Sequence, residues 1–176
     1  MKKGFVASCF DLGPHAGHIA MLEEAKRHCD HLIVALQTDP TLDRKEKNSP
    51  VESVSERYLK LKACKYVDEI IPYQTEADLL NILQTQNVNI RFLGEEYSGK
   101  QFTGLDYCHE NSIEIHFNSR KHPFSSSELR RRVSGLANTN SKIIEITGIP
   151  TPSPSKIVGL TNIPITWESG ISGVSA

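Results

Sequence analysis

The sequence predicts a three-layer α/β fold built around a mostly parallel sheet, and three observations support this prediction. Short apolar runs alternate along the chain with segments whose apolar residues recur at helical spacing. One run, HLIVALQ, is rich in branched residues, which is typical of a buried strand. Helices that separate successive strands imply right-handed crossovers between parallel strands. We therefore expect a Rossmann-like sandwich with five strands over residues 1–136, followed by a C-terminal extension.

The predicted elements follow one another in a regular order. The strands are GFVASCF (4–10), HLIVALQ (31–37), EIIPY (69–73), NIRFLG (89–94) and IEIHF (113–117). The helices lie in HIAMLEEAKRHC (18–29), SERYLKLKACKYV (55–67), EADLLNILQTQ (76–86) and SSSELRRRV (125–133). Ser55 is the expected N-cap of the second helix. Ligands of such sheets bind at the carboxyl ends of the strands, so the loops after Phe10, Gln37, Leu93 and Phe117 should share one rim.

Composition limits the classes of protein that the chain can represent. Lys and Arg number 20 against 21 Asp and Glu, which gives a net charge of -1. Without a global basic field we expect neither nucleic acid nor a membrane surface as a partner, so any anion site must be local. No run approaches the roughly 18 apolar residues that a membrane-spanning helix needs, and the start of the chain is not typical of a signal peptide.

The four cysteines lie far apart in the sequence, with no CxxC pair among them. We therefore expect neither a disulfide framework nor a structural zinc site. A reducing cytoplasm is the expected location of a chain with this pattern.

Residues 137–176 differ in composition from the rest of the chain. They hold few charges, and several prolines exclude a long helix. Two stretches, SKIIEITGIP (141–150) and SKIVGLTNIP (155–164), resemble each other but are too few for a repeat architecture. We expect two short strands, packed on the domain edge or on a second subunit, and then a loose end.

The stretch FDLGPHAGH (10–18) leaves the first strand and enters the first helix. Unpaired N–H groups and the helix dipole at such a start form a favourable seat for a phosphate. His15 and His18 lie one helical turn apart and can reach the same oxyanion, and Gly17 lets the backbone approach a ligand. Two alternatives remain: a helix cap with solvated side chains, and a zinc site that lacks a third ligand at a suitable spacing.

The segment SCFDLGPHAGH with the following IAMLEEAK resembles the HxGH signature of the nucleotidyltransferase superfamily, and in particular the small cytidylyltransferases. Further segments match in the same order over most of residues 1–134. They are TDPTLDRKEKN (38–48), ER (56–57), KYVDEIIPY (65–73), LGEEYSGK (93–100) and RKHPFSSSELRRRV (120–133).

The resemblance implies a role for each matching residue. His15 and His18 would contact the phosphates of a nucleoside triphosphate. Arg120 and the hydroxyls of Ser125, Ser126 and Ser127 would hold its β and γ phosphates. The other implied nucleotide contacts are Cys9 (often Thr in the family), Phe10, Asp11, Gly17 and Glu96, with Glu95 an equal alternative to Glu96. Lys47 would reach the triphosphate, and Lys45 and Arg57 the acceptor phosphate.

The resemblance also implies a reaction. CMP would pass from CTP to an alcohol phosphate such as glycerol 3-phosphate, by in-line attack at the α-phosphorus with release of pyrophosphate. Mg²⁺ would bridge the triphosphate oxygens with few protein ligands. The family further suggests a homodimer. An adenylyltransferase that uses ATP, and a nucleotide-binding module without turnover, are the alternatives.

Two features of the chain concern the details of this site. The family usually has two residues between the site aspartate and the first histidine, whereas Leu12, Gly13 and Pro14 make three here. We expect Gly13 to absorb the extra residue through a positive φ. Arg130, Arg131 and Arg132 are expected to form a solvated helix face.

Overall fold

The computed structural model describes residues 1–119 and 122–135. Within them the chain forms a five-stranded sheet, with strands β1 (Lys3–Ser8), β2 (His31–Gln37), β3 (Glu69–Tyr73), β4 (Ile90–Gly94) and β5 (Glu114–Asn118). The strand order is β3-β2-β1-β4-β5, and every pairing is parallel. The chain first builds the sheet outward from β1 through β2 and β3, and then crosses to the other side of β1. The strand order therefore reverses between β1 and β4, where such sheets bind their ligands.

The helices in the described residues are α1 (Ala16–Arg27), α2 (Val54–Lys62), α3 (Glu76–Thr85), α4 (Leu105–Glu110) and α5 (Ser126–Val133). Two short 3₁₀ helices, Pro40–Leu42 and Glu95–Tyr97, follow β2 and β4. The predicted strands and the four predicted helices are all present. The predicted three-layer α/β fold is thus confirmed.

Alternation along the strands divides the core into two parts, one on each face of the sheet. Val6 and Val34 pack with Leu22 of α1 and Leu61 of α2. The intervening strand residues, such as Phe5, pack on the opposite face with side chains of α3 and α4. Because both faces are covered, β2 is buried along almost its whole length, as expected for a parallel sheet.

The start of α2 corrects one prediction. Ser53, rather than Ser55, is the N-cap: its hydroxyl accepts a hydrogen bond from the Glu56 N–H, and the Glu56 carboxylate accepts from the Ser53 N–H. This is a capping box, and the pattern SxxE was present in the sequence. The helix also ends earlier than predicted, at Lys62, and the chain reaches β3 through a turn.

Helix α4 was not predicted from the sequence. It is a six-residue helix with one fully buried side chain, Cys108. Such a short segment contains too little apolar periodicity to be recognised. In the part of the chain described here, no helix combines the length and the hydropathy needed to span a membrane. Arg120 and the predicted extension, 137–176, lie outside the described residues.

Candidate active site

The turn after β1 is formed differently from the prediction. Phe10 and Leu12 adopt positive φ angles of 54° each, and Gly13 does not. Gly13 is needed instead because the chain is crowded there. A Cβ at this position would lie 2.5 Å from Nδ1 of His18 and 2.7 Å from the backbone nitrogen of His15. Within the turn from Asp11 to His15, Leu12 rather than Gly13 adopts the left-handed conformation, which favours glycine. The prediction of a positive φ at Gly13 was wrong.

His15 is the N-cap of α1. Its Nδ1 accepts hydrogen bonds from the N–H groups of Gly17, at 3.1 Å, and His18, at 3.4 Å. Since Nδ1 is an acceptor, the neutral imidazole carries its proton on Nε2. Nε2 lies 3.1 Å from the hydroxyl of Ser126, at the start of α5. The ring thus caps one helix and presents a donor toward the start of another.

His18 packs between two aromatic rings. Its imidazole stacks on that of His15, with centroids 3.8 Å apart and planes inclined by 23°. On the other side it lies 4.8 Å from the buried ring of Phe10. The two histidines therefore share one face of the helix start, as predicted.

Residues 122–126 close over the beginning of α1. The carbonyl of Phe124 would lie 2.8 Å from a Cβ at Gly17, so only glycine permits this approach. Ser125 caps α5 by accepting from the Glu128 N–H at 3.1 Å. The Ser126 hydroxyl donates to the Asp11 carbonyl at 3.0 Å. The two segments that the sequence placed over a hundred residues apart thus meet at one point.

The carboxylate of Asp11 is almost fully buried, with 6 % of the residue exposed. One oxygen accepts from the N–H groups of Val51 and Glu52, at 2.8 and 3.0 Å. The other forms an ion pair with Arg130, which also donates to the Ser49 carbonyl. Arg130 was expected on a solvated helix face. It instead lines a cavity at the carboxyl ends of the strands, which corrects that prediction. Arg131 and Arg132 pair with Glu128 of their own helix.

Arg57 was expected to contact the acceptor phosphate, but its side chain is buried in the protein. The residue is 1 % exposed, and its guanidinium donates to main-chain carbonyls. The acceptors are the carbonyls of Cys9, Gln37, Thr38 and Glu52, at 2.6 to 3.1 Å. With these bonds the guanidinium ties together the loops after β1 and β2 and the start of α2. Its donors face the protein interior, so the predicted contact with an acceptor phosphate is corrected to a structural role.

Cys9 lies beside Arg57 at the end of β1. Its thiol sulfur is 3.3 Å from Nη1 of Arg57. Burial raises the pKa of the Cys9 thiol, and the nearby guanidinium only partly opposes this effect. The side chain is therefore a protonated thiol at neutral pH and reaches the cavity wall as such.

The loop after β2 carries the two lysines expected to bind phosphate. Both are exposed; Lys47 lines the cavity, and Lys45 lies outside its lining. Arg44, which the sequence analysis did not predict as a site residue, also lines the cavity. Its guanidinium donates to Oε1 of Gln37 at 3.1 Å and forms an ion pair with Oε1 of Glu76 at 3.3 Å. The alternating charges of TDPTLDRKEKN gave no signal that separated Arg44 from its neighbours.

One cavity of about 580 Å³ extends along the carboxyl ends of β1, β2 and β4. The predicted site residues that line it are Cys9, Phe10, Asp11, His18, Lys47, Glu96, Ser126 and Ser127. A smaller cavity adjoins it, and its lining includes His15, Gly17, His18, Glu96, Ser125 and Ser126. Glu96 lies on the wall of both cavities, whereas its alternative Glu95 lines neither. Arg91, on β4, also lines the larger cavity. The sequence did not predict it as a site residue, because a single arginine within an apolar run is typical of a strand at the edge of a sheet.

The carboxylates of the cavity are largely occupied by protein partners. Asp11 is paired with Arg130, and Glu76 with Arg44 and Thr103. Among the described residues, no three His, Cys, Asp or Glu side chains are placed to hold a metal ion together. This donor set fits a Mg²⁺ ion that is carried mainly by phosphate oxygens and water, the arrangement that this ion prefers in triphosphate sites.

The fold and the cavity together define an α/β protein that presents histidine, hydroxyl and guanidinium donors at the switch point of a parallel sheet. The family model described as cytidylyltransferase-like matches residues 5–132. The chain therefore belongs to the cytidylyltransferase-like family of nucleotidyltransferases.

Two kinds of relative resemble the chain in sequence. It is 32 % identical over 136 residues to the glycerol-3-phosphate cytidylyltransferase of Bacillus subtilis, a match that covers 77 % of this chain and 100 % of that protein. It is 34 % identical over 107 residues to the bifunctional protein HldE of Campylobacter fetus. That match covers 60 % of this chain but only 23 % of HldE, so the chain corresponds to about a quarter of that relative.

Solved structures show the same fold. A lipopolysaccharide core biosynthesis protein from Thermoplasma volcanium aligns over 69 % of this chain and 99 % of its own, with a TM-score of 0.56 and 23 % identity. A pantoate-beta-alanine ligase from Francisella tularensis aligns over 83 % of this chain and 76 % of its own, with a TM-score of 0.50 and 16 % identity. At these identities the likeness concerns the fold alone.

Proposed function

We propose that the protein transfers CMP from CTP to a small alcohol phosphate such as glycerol 3-phosphate and releases pyrophosphate. The observation that carries this proposal is the contact between His15 and Ser126, which brings together at one cavity the two segments that we propose to bind phosphate. Membership of the cytidylyltransferase-like family supports the class of reaction. The match to the whole of the Bacillus subtilis glycerol-3-phosphate cytidylyltransferase supports the choice of substrates.

In the proposed reaction an oxygen of the acceptor phosphate attacks the α-phosphorus in line. A new P–O bond forms, the bond between the α-phosphorus and the bridging oxygen breaks, and pyrophosphate leaves with the electron pair. The attacking phosphate is already ionised at neutral pH, so no strong general base is needed. The protein has to align two anions and neutralise the charge that builds up between them.

The His15 Nε2–H group is a donor with its direction fixed by the cap at Nδ1. In the proposed complex an oxygen of the α-phosphate takes the place of the Ser126 hydroxyl as the acceptor of this group, with His18 stacked beside it. Ser126, Ser127 and Lys47 supply donors for the leaving pyrophosphate. Mg²⁺ would supply further charge neutralisation on the triphosphate.

Pyrophosphate release tests the proposal directly. The full chain with Mg²⁺ is assayed with CTP, ATP, UTP and GTP against glycerol 3-phosphate, ethanolamine phosphate and choline phosphate. We expect the highest rate with CTP. A clear preference for ATP would make the protein an adenylyltransferase instead, and no pyrophosphate from any pair in folded protein would favour a binding module.

A further inference from the structure

The larger cavity contains a group of polar side chains that the proposed transfer does not use. We call it the Arg91 chamber and define it by Gln37, Arg44, Tyr73, Glu76 and Arg91, all of which line the cavity. Gln37 and Tyr73 are register partners at the ends of β2 and β3. The chamber lies in the same cavity as His18.

Arg91 is a buried cation with little to balance its charge. The residue is 3 % exposed, and its guanidinium donates to the carbonyl of Thr103 and lies 5.0 Å from the ring centroid of Phe102. Its guanidinium also bonds with the buried thiol of Cys108, and none of these three partners carries a formal charge. The carboxylate that favours its charged form is that of Glu76. Burial lowers the pKa of Arg91, which is the sign of a desolvated cation.

The chamber holds two guanidinium groups and one carboxylate. Glu76 is that carboxylate, and both of its oxygens are engaged: one with Arg44 at 3.3 Å, and the other with the hydroxyl of Thr103. Two guanidinium groups beside one carboxylate leave a positive surplus within the chamber. An isolated buried charge is unfavourable, so this arrangement is best completed by an anion.

Donors also outnumber acceptors in the chamber. Gln37 is 2 % exposed, and its Nε2 has no hydrogen-bond partner among the described residues. The same is true, within that part of the chain, of Nε of Arg44. Unsatisfied buried donors are uncommon in folded proteins, and these two belong to side chains that line the cavity. A small movement of either side chain would expose its donor to a ligand oxygen. The surplus charge and the unused donors thus require the same kind of group.

We infer that the acceptor substrate carries a carboxylate at the end remote from its phosphate, and that the Arg91 chamber binds this carboxylate. The inference rests on the proposed nucleotidyl transfer and deepens it by naming the class of acceptor. The acceptor phosphate lies beside His18, where it meets the α-phosphorus, and the carboxylate lies against the guanidinium groups, which match its planar shape. A neutral alcohol at that end leaves the charge surplus in place.

Two acceptors that differ only at this end provide the test. Glycerol 3-phosphate has a hydroxymethyl group where 3-phosphoglycerate has a carboxylate. Initial rates of pyrophosphate release give kcat/KM for each acceptor with the full chain. We expect 3-phosphoglycerate to be favoured by about tenfold or more, the effect of one charge-assisted contact. Equal values, or a preference for glycerol 3-phosphate, would overturn the inference while leaving the proposed transfer intact.

Variants of the chamber should move this ratio in opposite directions. Arg91→Met removes a cation and should abolish the preference for 3-phosphoglycerate. Glu76→Gln removes the one carboxylate, keeps an oxygen for Thr103, and should increase the preference. Arg27→Gln, on the exposed face of α1, is the matched control and should leave the ratio unchanged. If Arg91→Met does not fold, the wild-type ratio and Glu76→Gln decide the question.

Binding separates the two proposals if no acceptor yields pyrophosphate. In that case titration calorimetry compares 3-phosphoglycerate with glycerol 3-phosphate on the wild-type chain. Tighter binding of 3-phosphoglycerate, weakened again in Arg91→Met, would support the chamber although the proposed transfer had failed. No difference in affinity between the two compounds would overturn the chamber as well.

Discussion

Asp11 and Arg130 form an ion pair across 119 positions of the sequence, between the exit of β1 and the middle of α5. The side chain of Asp11 is 7 % exposed and that of Arg130 is 28 % exposed. Asp11 at the same time accepts two N–H bonds from the loop before α2. A single carboxylate therefore connects three segments of the chain: the turn after β1, the loop before α2, and helix α5.

Replacing Arg130 by Met should lower the free energy of unfolding by about 1 to 2 kcal/mol, the effect of losing one charged partner while the N–H partners remain. Chemical denaturation of the two proteins measures the difference. Arg132→Met is the control, because Arg132 lies 4.0 Å from Glu128 with 54 % of its side chain exposed, and should change stability by less than about 0.5 kcal/mol. Equal losses in both variants would contradict the structural role of the Asp11 pair.

His15 combines a helix cap with a proposed catalytic donor, and two substitutions separate these roles. His15→Asn keeps a side-chain acceptor for the cap but lacks the Nε2 donor, so stability should be nearly unchanged while kcat falls about 100-fold. His15→Ala should show the same loss of turnover and an additional loss of about 1 kcal/mol of stability. Thermal unfolding and pyrophosphate release are measured on both. An Asn variant with normal turnover would limit His15 to capping.

His18 has no comparable capping role, so its removal should affect turnover more than stability. In His18→Ala we expect a fall in kcat of about 100-fold or more. Met21, one turn further along α1, also lines both cavities, and Met21→Leu is the control for packing at this wall. If His18→Ala kept its turnover, the proposed transition-state role would be wrong.

The regular parts of the fold could be predicted because their signals are local. Branched apolar runs and helical spacing identified all five strands and the four longer helices, and the alternation of elements indicated the parallel sheet. The predictions of secondary structure failed where a segment was too short to show periodicity, or where two nearby residues fitted the same role. Helix α4 has only six residues, and Ser53 and Ser55 are both acceptable caps when Glu56 is ignored.

The site was predicted at the level of segments better than at the level of side chains. The resemblance brought FDLGPHAGH and the serine cluster together, and the structure joins them at His15 and Ser126. The direction of each long cationic side chain depends on tertiary contacts that sequence spacing does not encode. For this reason Arg57 was expected in the cavity and is buried, whereas Arg130 was expected in solvent and lines the cavity.

Arg57 should matter mainly for stability. Its planar guanidinium reaches four carbonyls in different directions, and an ammonium group, whose three N–H donors all lie on one nitrogen, cannot do so. Arg57→Lys should therefore lose about 3 kcal/mol of stability, whereas Lys45→Met, at an exposed position, should lose less than about 0.5 kcal/mol. Denaturant unfolding measures both. A stable Arg57→Lys with a raised KM for the acceptor would restore Arg57 to the acceptor site.

The capping box of α2 should make stability depend on pH in the acid range. Hydrogen bonds from the Ser53 hydroxyl and N–H hold the pKa of Glu56 below its ordinary value of 4.5. Because the unfolded chain takes up the proton at higher pH than the folded chain, this stabilisation is complete above pH 4.5 and is lost as the pH falls through the folded pKa. Glu56→Gln lacks the titrating carboxylate, so its melting temperature should be lower than that of the wild type at neutral pH and should converge with it at acid pH, once Glu56 is protonated in both the folded and the unfolded chain. Asp30→Asn, distant from α2, is the comparison for general effects of charge. A gap between wild type and Glu56→Gln that stayed constant from neutral to acid pH would show that the capping carboxylate does not titrate in this way.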